Sequence, residues 1–127
     1  MPAPSPQLQA LKAEFFRALA HPIRIRLLEV LVTTSECSVQ DLQRRLDIEQ
    51  PIVSQQLARL RASGIVVATK RAAATRYSVT DPLIQQLLAV AKQILNRRLV
   101  DTQMLLRELA SDGSTSARNR SIPSTKR

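Results

Sequence analysis

Glycine, cysteine, histidine and the aromatic residues are nearly missing from this chain. Its 127 residues include 2 Gly, 1 Cys, 1 His, no Trp and only 2% aromatics. Two glycines cannot build a phosphate-cradling loop, and one Cys with one His leaves no nucleophilic Cys/His or Ser/His/Asp set. Both observations argue against an enzyme. Tight Zn, Ni or As sites need several soft or imidazole ligands in one shell, so no metal and no cofactor is expected. A single cysteine excludes an internal disulfide and suits a reducing cytoplasm. The scarcity of aromatics argues against a stacking platform for single-stranded nucleic acid. No apolar run approaches about 18 residues and the N-terminus lacks a signal-peptide core, so no membrane segment is expected. The expectation is one soluble, cytoplasmic domain of modest core.

What the chain does have is positive charge. Nineteen Lys/Arg against ten Asp/Glu leave +9. A polyanion is the natural partner, although membrane surfaces and acidic proteins fit a basic balance too. The distribution is more telling, because no acid lies anywhere between Gln50 and Thr80. Ser38–Gly64 organises the chain as two short helical patterns separated by a few residues. Val39, Leu42 and Leu46 share one face of the first, with Ser38 and Asp41 spaced as a capping box. Ile52, Val53, Leu57 and Leu60 form the apolar stripe of the second, and Gly64 ends it in a left-handed conformation. The opposite face carries Gln50, Ser54, Gln55 and Arg59, with Gln56 and Arg61 beside it. Amide, hydroxyl and guanidinium groups match the base edges and phosphates of a major groove. The spacing reads as a helix-turn-helix that binds double-stranded DNA.

The flanking segments complete a mainly α fold of about five helices and one β-hairpin. Met1–Pro6 is Pro-rich and expected to be disordered, with Ser5-Pro6 suited to cap and open a helix. Leu8, Leu11, Phe15, Phe16 and Leu19 then follow helical spacing, serving the core, a subunit contact, or both. His21-Pro22 separates this helix from an apolar one carrying Ile23, Leu27, Leu28, Leu31 and Val32, with Arg24 and Arg26 on its outer face. His21 reads as a helix cap. After Gly64 the period changes: Ile65–Lys70 and Thr75–Thr80 predict a hairpin bearing Lys70, Arg71 and Arg76 as phosphate contacts. Lacking a turn glycine, its loop should exceed two residues. Asp81-Pro82 caps a long final helix whose apolar positions run to Leu109, longer and broader than one small domain needs. Self-association explains it, with Leu8, Leu11, Phe15, Leu87, Ala91, Ile94 and Leu95 as the interface. The expected boundaries are 1–6 disordered, 7–110 a single domain and 111–127 a disordered basic tail. That tail has four basic residues against one acid, Asp112.

The segments FFRALAHPIRIRLLEVL, SVQDLQRRLDIEQPIVSQQLARLRASGIV and TRYSV together resemble the ArsR/SmtB-type winged-helix repressors of bacteria. The resemblance covers about residues 8–109 and rests on a "LAHPxRxxIL" helix, a "SQPTVSHHLxxLrxAGLV" recognition segment and a "YxL" wing strand, in that order. It implies a winged helix-turn-helix repressor that dimerises through its first and last helices. It further implies an imperfect inverted-repeat operator and repression relieved by a signal. Gln50, Ser54 and Gln55 match the family's base-reading segment; Lys70, Arg71 and Arg76 match its wing. Gln55 stands where histidine is common, and Glu49 where Ser or Thr usually caps the recognition helix. Many relatives sense metals through a "CVCDL" pair, and here Ser38-Val39-Gln40-Asp41-Leu42 lacks both thiolates. Others use Asp and His on the last helix, yet Asp81–Leu109 holds no His or Cys. The metal sites usual in the family are therefore absent, and the effector is open.

Cys37 is the one candidate redox sensor, at a helix N-terminus where free N–H groups favour a thiolate, opposed by neighbouring Glu36. The competing reading is a small inert residue in a connection. Two other functions compete with sequence-specific regulation: a helical protein-interaction adaptor and a nucleoid-type binder of low specificity. The adaptor accounts for the long last helix but not for the acid-free Gln/Ser/Arg face. The nucleoid binder uses the cations but not that face.

Overall fold

The computed structural model describes residues 5–120, as five helices and one antiparallel hairpin. Helix α1 (Pro6–Leu19) starts where Ser5 accepts from the Leu8 N–H at 3.2 Å, with Pro6 in the first turn. Pro6 is thus the first helical residue rather than the end of a disordered lead; residues 1–4 lie outside the described range. Helix α2 (Pro22–Thr34) is capped by His21, whose Nδ1 accepts from the Ile23 N–H at 3.1 Å. The proline supplies a first helical residue with no N–H to satisfy. Helix α3 (Val39–Leu46) opens on the expected capping box. Ser38 Oγ accepts from the Asp41 N–H at 3.1 Å, and Asp41 Oδ2 from the Ser38 N–H at 3.2 Å.

Helix α4 (Gln50–Ala62) follows a turn through Asp47, which takes the left-handed conformation. Glu49 makes no side-chain cap bond to it, in keeping with the missing Ser or Thr. Its end is a Schellman turn: Ile65 N–H bonds Leu60 O at 3.0 Å and Gly64 N–H bonds Arg61 O at 3.0 Å, with Gly64 at φ 75°. Leu27, Leu28 and Leu31 of α2, Leu42 of α3 and Val53, Leu57 and Leu60 of α4 are all within 1% of complete burial. Each such side chain contributes about 1.5–3 kcal/mol, so this leucine cluster fixes α4 against α2 and α3. Two assignments on α4 change. Ile52, expected in the stripe, is 37% exposed, while Gln56, expected beside the polar face, is 8% exposed and points inward.

Strands β1 (Val66–Arg71) and β2 (Ala74–Val79) pair from Val66↔Val79 to Arg71↔Ala74. Thr80 closes the base, donating from Oγ1 to Gly64 O at 2.8 Å, which ties the hairpin to the exit of α4. Contrary to the expected longer loop, only Ala72 and Ala73 separate the strands. Ala72 supplies the bend with φ 53°, the role glycine ordinarily fills.

Helix α5 (Leu83–Arg120) begins after Asp81, whose Oδ1 accepts from the Leu83 N–H at 2.9 Å. It continues past residue 110, where the tail was expected to begin; no proline interrupts the sequence between Pro82 and Pro123. Residues 121–127 of that tail lie outside the described range. The chain divides into two compact units, Met1–Leu87 and Leu88–Arg127. The division falls where burial stops: Ile84 is buried, Leu87 and Leu88 half-buried, and every side chain from 89 to 112 is exposed.

Holding a non-glycine residue in left-handed backbone costs about 1–2 kcal/mol, partly offset by the lower unfolded-state entropy of alanine. Ala72→Gly should therefore stabilise the fold by about 0.5–1 kcal/mol, read as a raised urea midpoint at unchanged slope. A lowered midpoint would contradict the turn geometry.

Candidate nucleic-acid interface

The leucine stripe of α4 dictates what the helix leaves outside. With Val53, Gln56, Leu57 and Leu60 facing inward, Gln50, Ser54, Gln55 and Arg59 are all exposed, as the sequence led one to expect. Residues four apart stack along a helix, so Gln50 and Ser54 form one flank of this face and Gln55 and Arg59 the other. Pro51 and Ala58 lie between the flanks and present little bulk. The arrangement gives two rows of hydrogen-bonding groups at a spacing suited to adjacent base edges. Arg59 also lines an open groove of about 740 Å³ between α1 and α4, with Leu11, Phe15, Arg17 and Arg24. Arg59 thus borders both this groove and the exposed polar face of α4.

The inward Gln56 is an interior polar group with a partner. Its Oε1 accepts from Arg24 Nε at 2.9 Å, and Arg24 Nη1 donates to Ala18 O at 2.7 Å. Arg24 is half-buried rather than on an outer face. Arg26 Nη2 donates to Leu46 O at 2.8 Å, at the C-terminus of α3. The sequence hid these roles because hydropathy marks Arg and Gln as surface residues wherever they fall.

The hairpin's three cations do not form one patch. Directly opposed residues of a two-stranded sheet share a face, and faces alternate along each strand. Arg76, opposite Thr69, therefore lies on the Arg71 face, and Lys70, opposite Thr75, on the other. Both arginines meet acids: Arg71 Nη2 is 3.5 Å from Glu36 Oε2, and Arg76 Nη1 is 3.5 Å from Asp41 Oδ2. Lys70 is exposed and forms no ion pair among the described residues. Arg45, which the sequence reading passed over, is exposed in the last turn of α3, beside Arg44. In a helix-turn-helix the first helix crosses the backbone, and two adjacent arginines at its end were the available signal.

Cys37 is 2% exposed, with its Sγ 3.2 Å from Thr34 Oγ1. Its backbone forms a bridge with Tyr77, donating to Tyr77 O at 3.0 Å and accepting from the Tyr77 N–H at 2.8 Å. A reagent meets this thiol only when the segment opens, so the packing favours the inert reading over an exposed sensor. Among the described residues, no three His, Cys, Asp or Glu side chains group together, and no helix is long and apolar enough to cross a membrane.

This geometry has counterparts among known proteins. Residues 21–67 match the family of bacterial regulatory proteins called the arsR family. The HTH-type transcriptional regulator Rv0081 of Mycobacterium tuberculosis is 44% identical over 110 residues, covering 87% of this chain and 96% of the relative. The chain belongs to the ArsR family. Its helix-turn-helix and hairpin are those of a DNA-binding transcriptional regulator, which sets the adaptor reading aside. The crystal structure of Rv0081 superposes with a TM-score of 0.69 at 46% identity, covering 78% of this chain and 98% of that one. The transcriptional repressor BigR from Xylella fastidiosa superposes with a TM-score of 0.63 at 34% identity, covering 69% and 89%. A biofilm growth-associated repressor of Agrobacterium fabrum is 36% identical over 95 residues, 71% of this chain and 80% of the relative.

Asp41 joins the candidate interface to the fold, since it accepts from the Ser38 N–H and Arg44 Nη2 (2.7 Å) and pairs with Arg76 at 3.5 Å. The Ser38 backbone N–H above all, then the Ser38 hydroxyl and Arg44, hold its carboxyl below the usual range, against a weaker opposing pull from desolvation. The unfolded chain therefore takes up this proton more readily, and the stabilisation is complete above the ordinary carboxylate pKa. It is lost as pH falls through the lowered native value. The difference in melting temperature between wild type and Asp41→Ala should be full at neutral pH and close in acid. A gap independent of pH would show that ionisation of Asp41 contributes nothing.

Proposed function

We propose that this regulator acts as a homodimeric repressor on an inverted-repeat operator, with Gln50, Ser54 and Gln55 of each subunit reading base edges. The observation that carries this reading is the exposed row of neutral hydrogen-bonding groups on α4. Its inner face is anchored by Leu57, Leu60 and the Arg24–Gln56 bond. Arg59 and Lys70 supply phosphate contacts, joined by Arg45 and by the wing arginines once their acids release them. The signal is not a metal held in the family's usual sites, because those ligand positions carry Ser38, Gln40 and a last helix without His or Cys through Leu109.

Dimerisation is supported by two apolar faces without cover. On α1, Leu8, Leu11, Phe15 and Phe16 are 37–62% exposed, and only Leu19 is buried. On α5, Ile94, Leu95, Leu99, Leu105, Leu106 and Leu109 are 48–59% exposed. Single exposed leucines are ordinary, but stripes of this length mark an interaction surface. Leu87, Ala91, Ile94 and Leu95 fall on one helical face. Paired helices would set two recognition helices one DNA turn apart, about 34–36 Å.

Mapping bound sites across the genome would supply the operator, and titration of operator and mixed-sequence DNA then tests the assignment. Ser54→Ala and Gln55→Ala should each cost about 1–3 kcal/mol on the operator and relax its preference at one position. Lys70→Ala should weaken all sequences alike and lower the salt slope by about one unit. Unchanged operator preference in both α4 variants would overturn the base-reading assignment.

A separate measurement addresses assembly. Ile94→Asp or Leu95→Asp should shift sedimentation from dimer toward monomer and weaken operator binding in step. A wild-type monomer at micromolar concentration with full operator affinity would rule out the dimeric reading.

A further inference from the structure

The hairpin face that carries Arg71 and Arg76 is electrically balanced within the protein itself. Two guanidinium groups face two carboxylates, each 3.5 Å away, in a chain whose surplus elsewhere is strongly basic. The two acids differ in kind. Asp41 is committed to the start of α3 through the capping box, whereas no hydrogen bond among the described residues occupies the Glu36 carboxylate. Glu36 is nevertheless held in place by its backbone. It follows Ser35, at φ 71° and ψ −57°, and its N–H bonds Thr34 O at 2.8 Å, a strained three-residue turn. It precedes Cys37, whose two backbone bonds to Tyr77 lock the segment onto β2. The carboxylate is thus delivered to Arg71 by a rigid connection rather than by a wandering surface chain.

A carboxylate and a DNA phosphate seek the same guanidinium fork. We propose that Glu36 is an internal competitor for DNA phosphate at Arg71, a positioning residue that weakens the wing's grip on DNA of any sequence. The inference rests on the reading of the wing as a phosphate-contacting element. As DNA approaches, its phosphates meet a guanidinium already neutralised and a fixed negative charge beside it. Arg71 is 65% exposed, so the pair is screened and modest in strength. Base contacts on α4 stand apart from this exchange, and the competition acts on the part of binding common to all sequences.

The test uses the full chain and a fluorescent mixed-sequence duplex titrated across a salt series. Glu36→Gln should bind about two- to fivefold tighter at low salt, the range set by exposed ion pairs. Its salt slope should steepen by nearly one unit, because Arg71 then neutralises a phosphate and releases a cation condensed on the DNA. Glu29→Gln, the same charge change at an exposed position on α2, should gain distinctly less. Arg71→Gln should weaken binding, and adding Glu36→Gln to Arg71→Gln should gain no more than Glu29→Gln gains over wild type. No gain in Glu36→Gln, a gain matched by Glu29→Gln, or a gain that survives Arg71→Gln undiminished would each overturn the competition. Arg71→Gln binding as wild type would instead overturn the wing reading on which it rests.

Discussion

The placement of the recognition helix depends on a bond between two residues that hydropathy would assign to the surface. Arg24 reaches from α2 to Gln56 on the inner face of α4, and its second nitrogen takes the Ala18 carbonyl at the end of α1. The carbonyl is one of those a helix leaves unpaired at its C-terminus, where a cation also meets the favourable end of the dipole. Two residues on, Arg26 treats the last turn of α3 in the same way through Leu46 O. Helix α2 thereby braces α1 and α3 at their C-terminal ends and α4 at its middle, while its leucines pack against α3 and α4. Apolar packing alone tolerates small rotations and slides. An interior glutamine left without its donor costs about 1–3 kcal/mol, which penalises those displacements. The register of Gln50, Ser54 and Gln55 follows from that constraint.

What the sequence revealed and what it hid divide along physical lines. Capping chemistry was legible because it is local: Ser5, His21, the Ser38–Asp41 box and Gly64 all act within a few residues of themselves. The leucines of α2 and α4 were legible from period alone. Ile52 and Gln56 were misassigned because a 3.6-residue stripe leaves its margins undetermined, and a partner thirty-two residues away decides them. The hairpin was legible in its strands but not in its turn, since Ala72 accepts a backbone that sequence rules reserve for glycine. The residues of the candidate interface were legible as a set of exposed cations and amides. Their grouping was not, because the register that splits Lys70 from Arg71 and Arg76 is a pairing property. The acids that meet those arginines lie in another element altogether.

That last point changes how the charge of the protein should be understood. A net charge of +9 predicts strong attraction to DNA, but attraction depends on where cations stand free. Lys70 and Arg45 are exposed without an acid partner among the described residues, and Arg59 likewise borders the reading face. Arg44, Arg71 and Arg76 are shared with Asp41 and Glu36. The connection from α2 to α3 and the first turn of α3 thus hold the two acids that meet the wing arginines, Glu36 and Asp41, and the backbone bridge of Cys37 to Tyr77. Segments preceding the recognition helix carry the sensing thiolates in many relatives of this family. Here the same stretch carries carboxylates and one buried thiol.

The last helix poses an energetic problem that bears on regulation. A helix draws most of its stability from burying one face, and isolated helices are marginal in water. From residue 89 to 112 every side chain of α5 is exposed, including a dozen apolar ones at helical spacing. In the proposed dimer, α5 gains its buried face from a second copy, so assembly and helix formation share one equilibrium. Stability then rises with protein concentration, as it does for any state that binds a partner only when folded. Operator affinity inherits the same dependence, because two recognition helices are presented together only after that face is covered. A signal need not reach α4 at all to end repression. Loosening the pairing of α5 would separate the two reading helices and forfeit the second half-site.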